Sequence, residues 1–377
     1  MNLEDRPDLC GHVKAIHIQL SSPNQNTCNN IARIVTHCKA TRRFMLHTDL
    51  TDRSLPLLDA IKNLPRLGFL SLSGYSSGPS IHMVLERCDL PCLESLELSR
   101  YGIGKGTDPS APWPEDIRAT QRDLEQLLPS NRYHTSSVTS MVLSDPSTPP
   151  IVSEHILRWP RRLERLSITF LTHSSYASQY TLTNVERLLG IHRHSLKYIK
   201  IGIIPGAHEG MPDFSSFQCL EELHLSTYEL LAEAPSNALR KLAGPYLRHL
   251  SMTFSPEDQH SESNNEFAIE QVRWMSDFAT LKRSDHPTSR LEKIHIDFIP
   301  DHNPLYLSDF EDVTWPWDYL DEAGQKLAQH GLALTYSKPR WPKEEWEELV
   351  EAGKAAKAGC NAECRNRTGD PGSSAEI

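Results

Sequence analysis

One short pattern occurs twice between Leu64 and Ser99, and nothing else in the sequence constrains the fold as much. Leu67-x-x-Leu70-x-Leu72 returns as Leu93-x-x-Leu96-x-Leu98, 26 residues later (93 − 67). Between the copies lie a turn-rich stretch and then Ile81, Val84, Leu85 and Cys88, apolar at i, i+3, i+4 and i+7. The first motif alternates sides as a strand does. The second covers one face of a short helix. A strand, a turn, a helical face and the strand again form a unit too small to bury its apolar side alone. Such a unit gains a core only by stacking on copies of itself.

Copies recur along the chain. Val13-x-x-Ile16-x-Ile18 comes first, and a weaker strand follows at Phe44-Met45-Leu46. After Leu98 come Val138-x-x-Met141-x-Leu143, Leu163-x-x-Leu166-x-Ile168, Leu196-x-x-Ile199-x-Ile201, Leu220-x-x-Leu223-x-Leu225, Leu247-x-x-Leu250-x-Met252, Leu291-x-x-Ile294-x-Ile296 and Leu332-x-Leu334. From Leu163 to Leu247 the separations are 33, 24 and 27. A period of roughly 20–29 residues with this leucine pattern is that of leucine-rich repeats. The Gly- and Pro-rich stretch Tyr101–Pro114, the stretch Asp145–Pro150 and the polar Ser255–Glu266 read as insertions.

The pattern predicts an α/β fold: an irregular right-handed leucine-rich-repeat solenoid, with a curved parallel sheet inside and helices or turns outside. The hand follows from the chirality of parallel strand connections. Residues 1–340 are assigned to the solenoid and 341–358 to a closing helix, with Pro342 at its start and Glu344, Glu345, Glu347 and Glu348 near its positive end. The polar tail, 359–377, reads as disordered. Thr183-x-x-Glu186 reads as a capping box on a helix whose apolar residues are Leu182, Val185, Leu188 and Leu189. The asparagine usual at position 9 of such repeats is replaced by Tyr75, Tyr101 and Tyr228, so no asparagine ladder is expected. A doubly wound α/β sheet has the same alternation of strands and helices and is the alternative fold.

Composition limits the partners. The chain has 377 residues and a formal net charge of -10; a duplex-binding protein usually shows a basic face, so this balance argues against a nucleic-acid partner. The N-terminus has no apolar leader, and no apolar run is long enough to span a bilayer. That reading places the chain in the cytoplasm or nucleus, with no membrane partner. Among eight cysteines, Cys88/Cys92 and Cys360/Cys364 are C-x3-C pairs far apart in sequence, unlike the closely set C-x2-C pairs of zinc modules. No metal and no other cofactor is expected.

Three motifs invite a chemical reading. Gly74-Tyr75-Ser76-Ser77-Gly78 matches the G-x-S-x-G elbow of serine hydrolases, with Ser76 as nucleophile. No HGGG-type segment precedes it, and Ser and Gly are ordinary turn residues. Gly102-Ile103-Gly104-Lys105-Gly106 lacks the residues of a phosphate loop or a dinucleotide fingerprint. The acidic stretch 301–321 lacks calcium-loop spacing. The chain is therefore read as a non-enzyme, with a serine hydrolase as the remote alternative. Four tryptophans, Trp113, Trp159, Trp315 and Trp341, precede proline and read as anchors of loops on the core.

A binding surface follows from the alternation. If the leucines point inward, positions 3, 5 and 7 of each copy face out on the concave side. In the later copies these include Arg165, Tyr198, Lys200, Glu222, His224, His249, Lys293 and His295. A surface of Tyr, Arg and His with few aliphatics suits a protein partner. Its histidines would make binding sensitive to pH between about 5 and 8.

Several stretches in order resemble a large group of filamentous-fungal proteins that carry an F-box followed by degenerate leucine-rich repeats. They are RPDLCGHVKAIHI (6–18), ILRWPRRLERLSITF (156–170), IHRHSLKYIKIG (191–202), FSSFQCLEELHLS (214–226), SPEDQHSE (255–262), LEKIHIDFIPD (291–301), WPWDYLDEAGQKLAQHGLALTY (315–336) and KEEWEEL (343–349). The resemblance implies the substrate-recognition part of a ubiquitin-ligase receptor. The F-box, which holds the ligase adaptor, would precede residue 6, where five residues stand. The expectation is therefore a protein-interaction module without its F-box, or a ligase-independent scaffold, with an adaptor as partner only if an F-box is restored.

Overall fold

The computed structural model describes residues 7–21, 24–48, 52–74, 87, 90–101, 129–146, 148–170, 179–204, 210–226, 230–231, 233–254, 267, 269–298, 315–339 and 341–368. The strands are β1 (Ala15–Leu20), β2 (Arg43–Thr48), β3 (Phe69–Ser73), β4 (Ser95–Ser99), β5 (Ser140–Ser144), β6 (Arg165–Thr169), β7 (Tyr198–Ile201), β8 (Glu222–Ser226), β9 (His249–Phe254), β10 (Lys293–Phe298) and β11 (Ala333–Tyr336). Their order in the sheet is their order in the chain. A doubly wound sheet reverses its order at a switch point. The strands here never do, which decides between the two folds in favour of the leucine-rich-repeat solenoid. The chain divides into two compact units, Met1–Leu223 with Lys241–Leu247, and His224–Arg240 with Arg248–Ile377, so the division falls inside β8.

In the first unit the repeat fixes the register. Ala15 lies opposite Arg43, Arg43 opposite Phe69, Phe69 opposite Ser95, Ser95 opposite Ser140, Ser140 opposite Arg165, and Arg165 opposite Tyr198, all in parallel pairs. Each of these residues holds position 3 of its copy, so equivalent leucines stack into rows. Phe44, Leu70, Leu96, Met141, Leu166 and Ile199 make one buried row; Leu46, Leu72, Leu98, Leu143, Ile168 and Ile201 make the next. Each such side chain contributes about 1.5–3 kcal/mol relative to exposure. The backbone repeats as well. The position-2 carbonyls of Gly68, Glu94, Thr139, Glu164 and Lys197 each accept two N–H groups from the start of the following copy.

The weak second copy has a simple cause. Its position 1 is Thr41 rather than an aliphatic residue. Thr41 is fully buried, and its hydroxyl donates to the carbonyl of Val13 at 3.2 Å. That bond satisfies a polar atom that burial would otherwise penalise.

Helices cover the buried side of the sheet. They begin with α1 (Pro7–Cys10), α2 (Gln25–His37), α3 (Leu55–Ile61), α4 (Pro150–Arg158) and α5 (Leu182–Gly190). Helix α2 buries Cys28, Ala32 and Val35, at i, i+4 and i+7, and Asn24 caps its first turn by accepting from Thr27 N at 2.8 Å. The capping box expected at Thr183 is corrected. Thr181 is the cap of α5, accepting from Asn184 N at 3.3 Å, and Glu186 instead accepts from Asp213 N at 3.0 Å. Two threonines two residues apart gave the sequence a choice, and the one in extended backbone took the role.

Position 9 of the Leu93 copy shows what replaces the asparagine ladder. Tyr101 is fully buried, and its hydroxyl lies 2.7 Å from Ser153 Oγ on α4. Ser153 Oγ lies 2.7 Å from the Tyr180 hydroxyl, which donates to the carbonyl of Thr148 at 3.1 Å. A carbonyl only accepts, so a consistent chain of donors runs Tyr101 to Ser153 to Tyr180 to Thr148. Burial pushes the Tyr101 phenol well above its usual range and that of Tyr180 up to about 12. Both stay neutral donors. Tyr75 and Tyr228 lie outside the described residues.

His192 closes the far end of α4. It is buried, and its Nε2–H donates to the carbonyl of Leu157 at 2.6 Å; the His134 ring stands edge-on with centroids 6.4 Å apart. Burial holds the His192 imidazole below its usual value. The unfolded chain therefore takes up a proton, as pH falls below about 6.5, that the folded chain refuses. Stability is unaffected above that pH and falls below it. Urea titrations from pH 7.5 to 5 are expected to show a shallower acid loss for His192→Gln than for the wild type.

The second unit carries β9 to β11, paired in parallel with His249 opposite Lys293 and Lys293 opposite Ala333. Helix α6 (Pro235–Lys241) lies across the division in the chain, and α7 (Ile269–Asp285), α8 (Pro316–Ala328) and α9 (Lys343–Thr368) follow. The closing helix, expected over 341–358, runs Lys343–Thr368, into the stretch read as a tail. Residues 369–377 lie outside the described residues. Trp346, Val350 and Gly353 are its buried face, at i, i+4 and i+7. No helix among the described residues is long and apolar enough to cross a membrane.

Candidate interaction surface

Side chains alternate across every strand, so the residues between the leucines stand on the open side of the sheet. Arg165 heads β6, and its guanidinium carbon sits 4.0 Å from the centroid of the Tyr198 ring on β7. Burial raises the Tyr198 phenol, with Arg165 pulling it down and Glu222 pushing it up. Lys197 O accepts from Glu222 N, the bond that elsewhere sets position 3 against position 3, so Glu222 follows Tyr198 in the same row. Lys200 is exposed two residues beyond Tyr198, opposite Ser167. The structure thus gathers Arg165, Tyr198, Lys200 and Glu222 in the first unit.

His224, His249, Lys293 and His295 fall in the second unit. His249 and Lys293 are register partners. His295 Nδ1 lies 2.9 Å from Thr335 Oγ1 on β11. His224 is half-buried on β8. The eight residues form two local groups, each on the open side of its own strands.

The earlier copies contribute residues that the sequence reading passed over. Arg43 lies over the Phe69 ring at 4.4 Å, repeating the Arg165–Tyr198 arrangement at the same position of the repeat. His47, Ser73, Ser99, Ser144 and Thr169 line up in one row by register. His47 Nδ1 is 2.6 Å from Ser73 Oγ, and Thr169 Oγ1 donates to Ser144 Oγ at 3.0 Å. The signal was the rule already applied to the later copies.

The other candidates are placed as follows. Ser76 and the segment 102–106 lie outside the described residues, as do residues 301–314 of the acidic stretch and Trp113. Trp159 and Trp315 are buried, and Trp341 is half-buried, its ring centroid 6.3 Å from that of Trp346. Among the described residues no three His, Cys, Asp or Glu side chains are grouped as a metal site.

No protein-family model matches the sequence, and no curated protein does. Among solved structures, the crystal structure of the leucine-rich repeat-containing protein LegL7 from Legionella pneumophila aligns with 90% of this chain and 98% of that one, at 12% identity and a TM-score of 0.45. The repeat architecture itself follows from the chain-ordered parallel strands and their alternating burial.

Proposed function

We propose that the chain is a protein-interaction module that contacts its partner through the open face of its sheet. One observation supports this most: a guanidinium laid on a tyrosine ring, with a lysine and a glutamate beside it, on regularly spaced strands. Tyr and Arg dominate binding hot spots because they offer large, rigid, amphipathic contacts. Repeat proteins favour such faces, since every copy adds one more row. Arg165, Tyr198, Lys200, Glu222, His224, His249, Lys293 and His295 are the contacts proposed. The resemblance to fungal F-box proteins makes a ubiquitin-ligase substrate the partner class under the first reading. A ligase-independent scaffold is the second. Residues 1–377 are expected not to retain the ligase adaptor under either reading; an F-box encoded in frame upstream of Met1 favours the first reading, and its absence from the genomic DNA favours the second.

The test of the face is a quantitative pull-down from the source cell with wild type and with Tyr198→Ala/His224→Ala/His249→Ala. Recovery of specific partners is expected to fall at least tenfold for the triple variant. Unchanged recovery, with an unchanged circular dichroism spectrum, places the contacts elsewhere.

A further inference from the structure

The open face of the first unit holds two arginines in the same setting. Arg43 lies on Phe69 and Arg165 on Tyr198, at 4.4 and 4.0 Å. Other arginines of this unit, among them Arg87, Arg100, Arg158, Arg162 and Arg187, are paired with carboxylates. Arg43 and Arg165 are not, among the described residues. A ring occupies one face of a guanidinium and none of its N–H donors. Stacking therefore fixes the plane and leaves the in-plane donors for a planar oxyanion, which Arg binds bidentately.

Between these two points the face is low. Ser95 and Ser140 continue the row from Phe69 to Arg165, with Ser71, Ser73, Ser99 and Ser144 further along the same strands. Such side chains let another backbone come close and offer it hydroxyl partners. β2 and β6 are four strand spacings apart, roughly 19 Å. An extended peptide covers that distance in about six residues, and an even spacing keeps both end side chains on the same side. Glu97 stands on β4, midway, with no cation paired to it among the described residues.

We propose that this face takes an extended acidic segment of a partner protein, laid across the strands so that two carboxylates six residues apart meet Arg43 and Arg165. The inference rests on the interaction-module reading above and names the partner's chemistry. Glu97 disfavours a third acid at the centre of the segment. The chain's net charge of -10 repels acidic ligands at long range. Selectivity therefore comes from the two arginine contacts, with Lys200 adding a nearby charge.

The test uses the full chain and fluorescein-labelled peptides of Ser, Thr and Ala carrying two Glu at separations of two, four, six and eight residues. A Gln/Gln peptide and a six-spaced peptide with a central Glu are the controls. Fluorescence anisotropy is expected to show tightest binding at six, weakened at least fivefold by the central Glu. Arg43→Gln or Arg165→Gln is expected to weaken it at least fivefold, and the double variant to reduce it to the Gln/Gln level. Both arginines are exposed, so the variants should keep the wild-type circular dichroism spectrum. Spacing-independent binding, no binding above the Gln/Gln peptide, or indifference to both substitutions overturns the proposal. Ser140→Trp separates the two levels, because it fills the centre of the face. If it removes a partner recovered from the cell while the arginine variants keep it, the face binds but not through acidic side chains. If none of the variants matters, both readings fall.

Discussion

Tyr101→Ala is expected to destabilise the first unit by about 3–5 kcal/mol, the cost of emptying a buried aromatic site. Tyr101 is fully enclosed, and its hydroxyl heads the chain through Ser153 and Tyr180 to the carbonyl of Thr148. Two losses add in the alanine variant: the packing of the ring, and the donor that Ser153 Oγ accepts. Tyr101→Phe separates them. It keeps the ring and removes one neutral hydrogen bond, which costs about 1–2 kcal/mol. Ser153→Ala strands the Tyr101 phenol in a buried site, while Tyr180 keeps its bond to the carbonyl of Thr148, and it is expected to exceed Tyr101→Phe. Urea unfolding followed by tryptophan fluorescence gives all three values. Near-equal losses for Tyr101→Phe and Tyr101→Ala would mean the ring itself contributes nothing.

That network shows where the sequence was legible and where it was not. Position 9 was readable as a departure, because Tyr101 stands where asparagine is usual. Its partners were not readable. Ser153 and Tyr180 are 52 and 79 residues away, and nothing in the spacing of a hydroxyl announces a contact across the helical layer. Strand positions were legible because the leucine period is local and burial enforces it: a one-residue slip would turn every leucine to the open side. Even the weak second copy followed the rule, since Thr41 keeps its place through a hydrogen bond rather than through apolar surface. The cap of α5 was ambiguous for the opposite reason. Thr181 and Thr183 are chemically the same, and only backbone geometry distinguishes them.

The candidate surface was legible in the same partial way. Alternation identified which residues stand on the open side, and the side chains of Arg165 and Tyr198 are there. The pairing of Arg43 with Phe69 was equally implied, but the rule was read out only on the later copies. What alternation cannot supply is lateral grouping. It treats the eight residues as one line, whereas contacts are local: Arg165 to Tyr198 in the first unit, His295 to Thr335 in the second.

The second large effect is expected at the C-terminal end of the second unit. Trp346, on the first turn of α9, is 1% exposed, with ring centroids 5.9 Å from Trp315 and 6.3 Å from Trp341. Trp315 packs against Trp317 at 4.5 Å, Trp317 against Phe298 at 5.1 Å, and Phe298 against Phe254 at 5.3 Å, so the aromatic layer runs from β9 through β10 to the closing helix. Trp346→Ala empties the least exposed of the tryptophan sites named in that layer and should cost about 3–5 kcal/mol. It also loosens the cover of the aromatic layer beside β10 and β11, and a last strand with a loosened cover offers its edge to other chains. Faster aggregation in light scattering at 37 °C should accompany the lower urea midpoint. Trp346→Phe should behave differently. The indole Nε1 is buried without a hydrogen-bond partner among the described residues. Phenylalanine loses ring area but also removes that unsatisfied donor, whose burial itself costs about 1–3 kcal/mol. The two terms oppose each other, and a net change within about 1.5 kcal/mol is expected. If Trp346→Phe were as damaging as Trp346→Ala, the indole nitrogen would have to be making a bond that holds the helix in place.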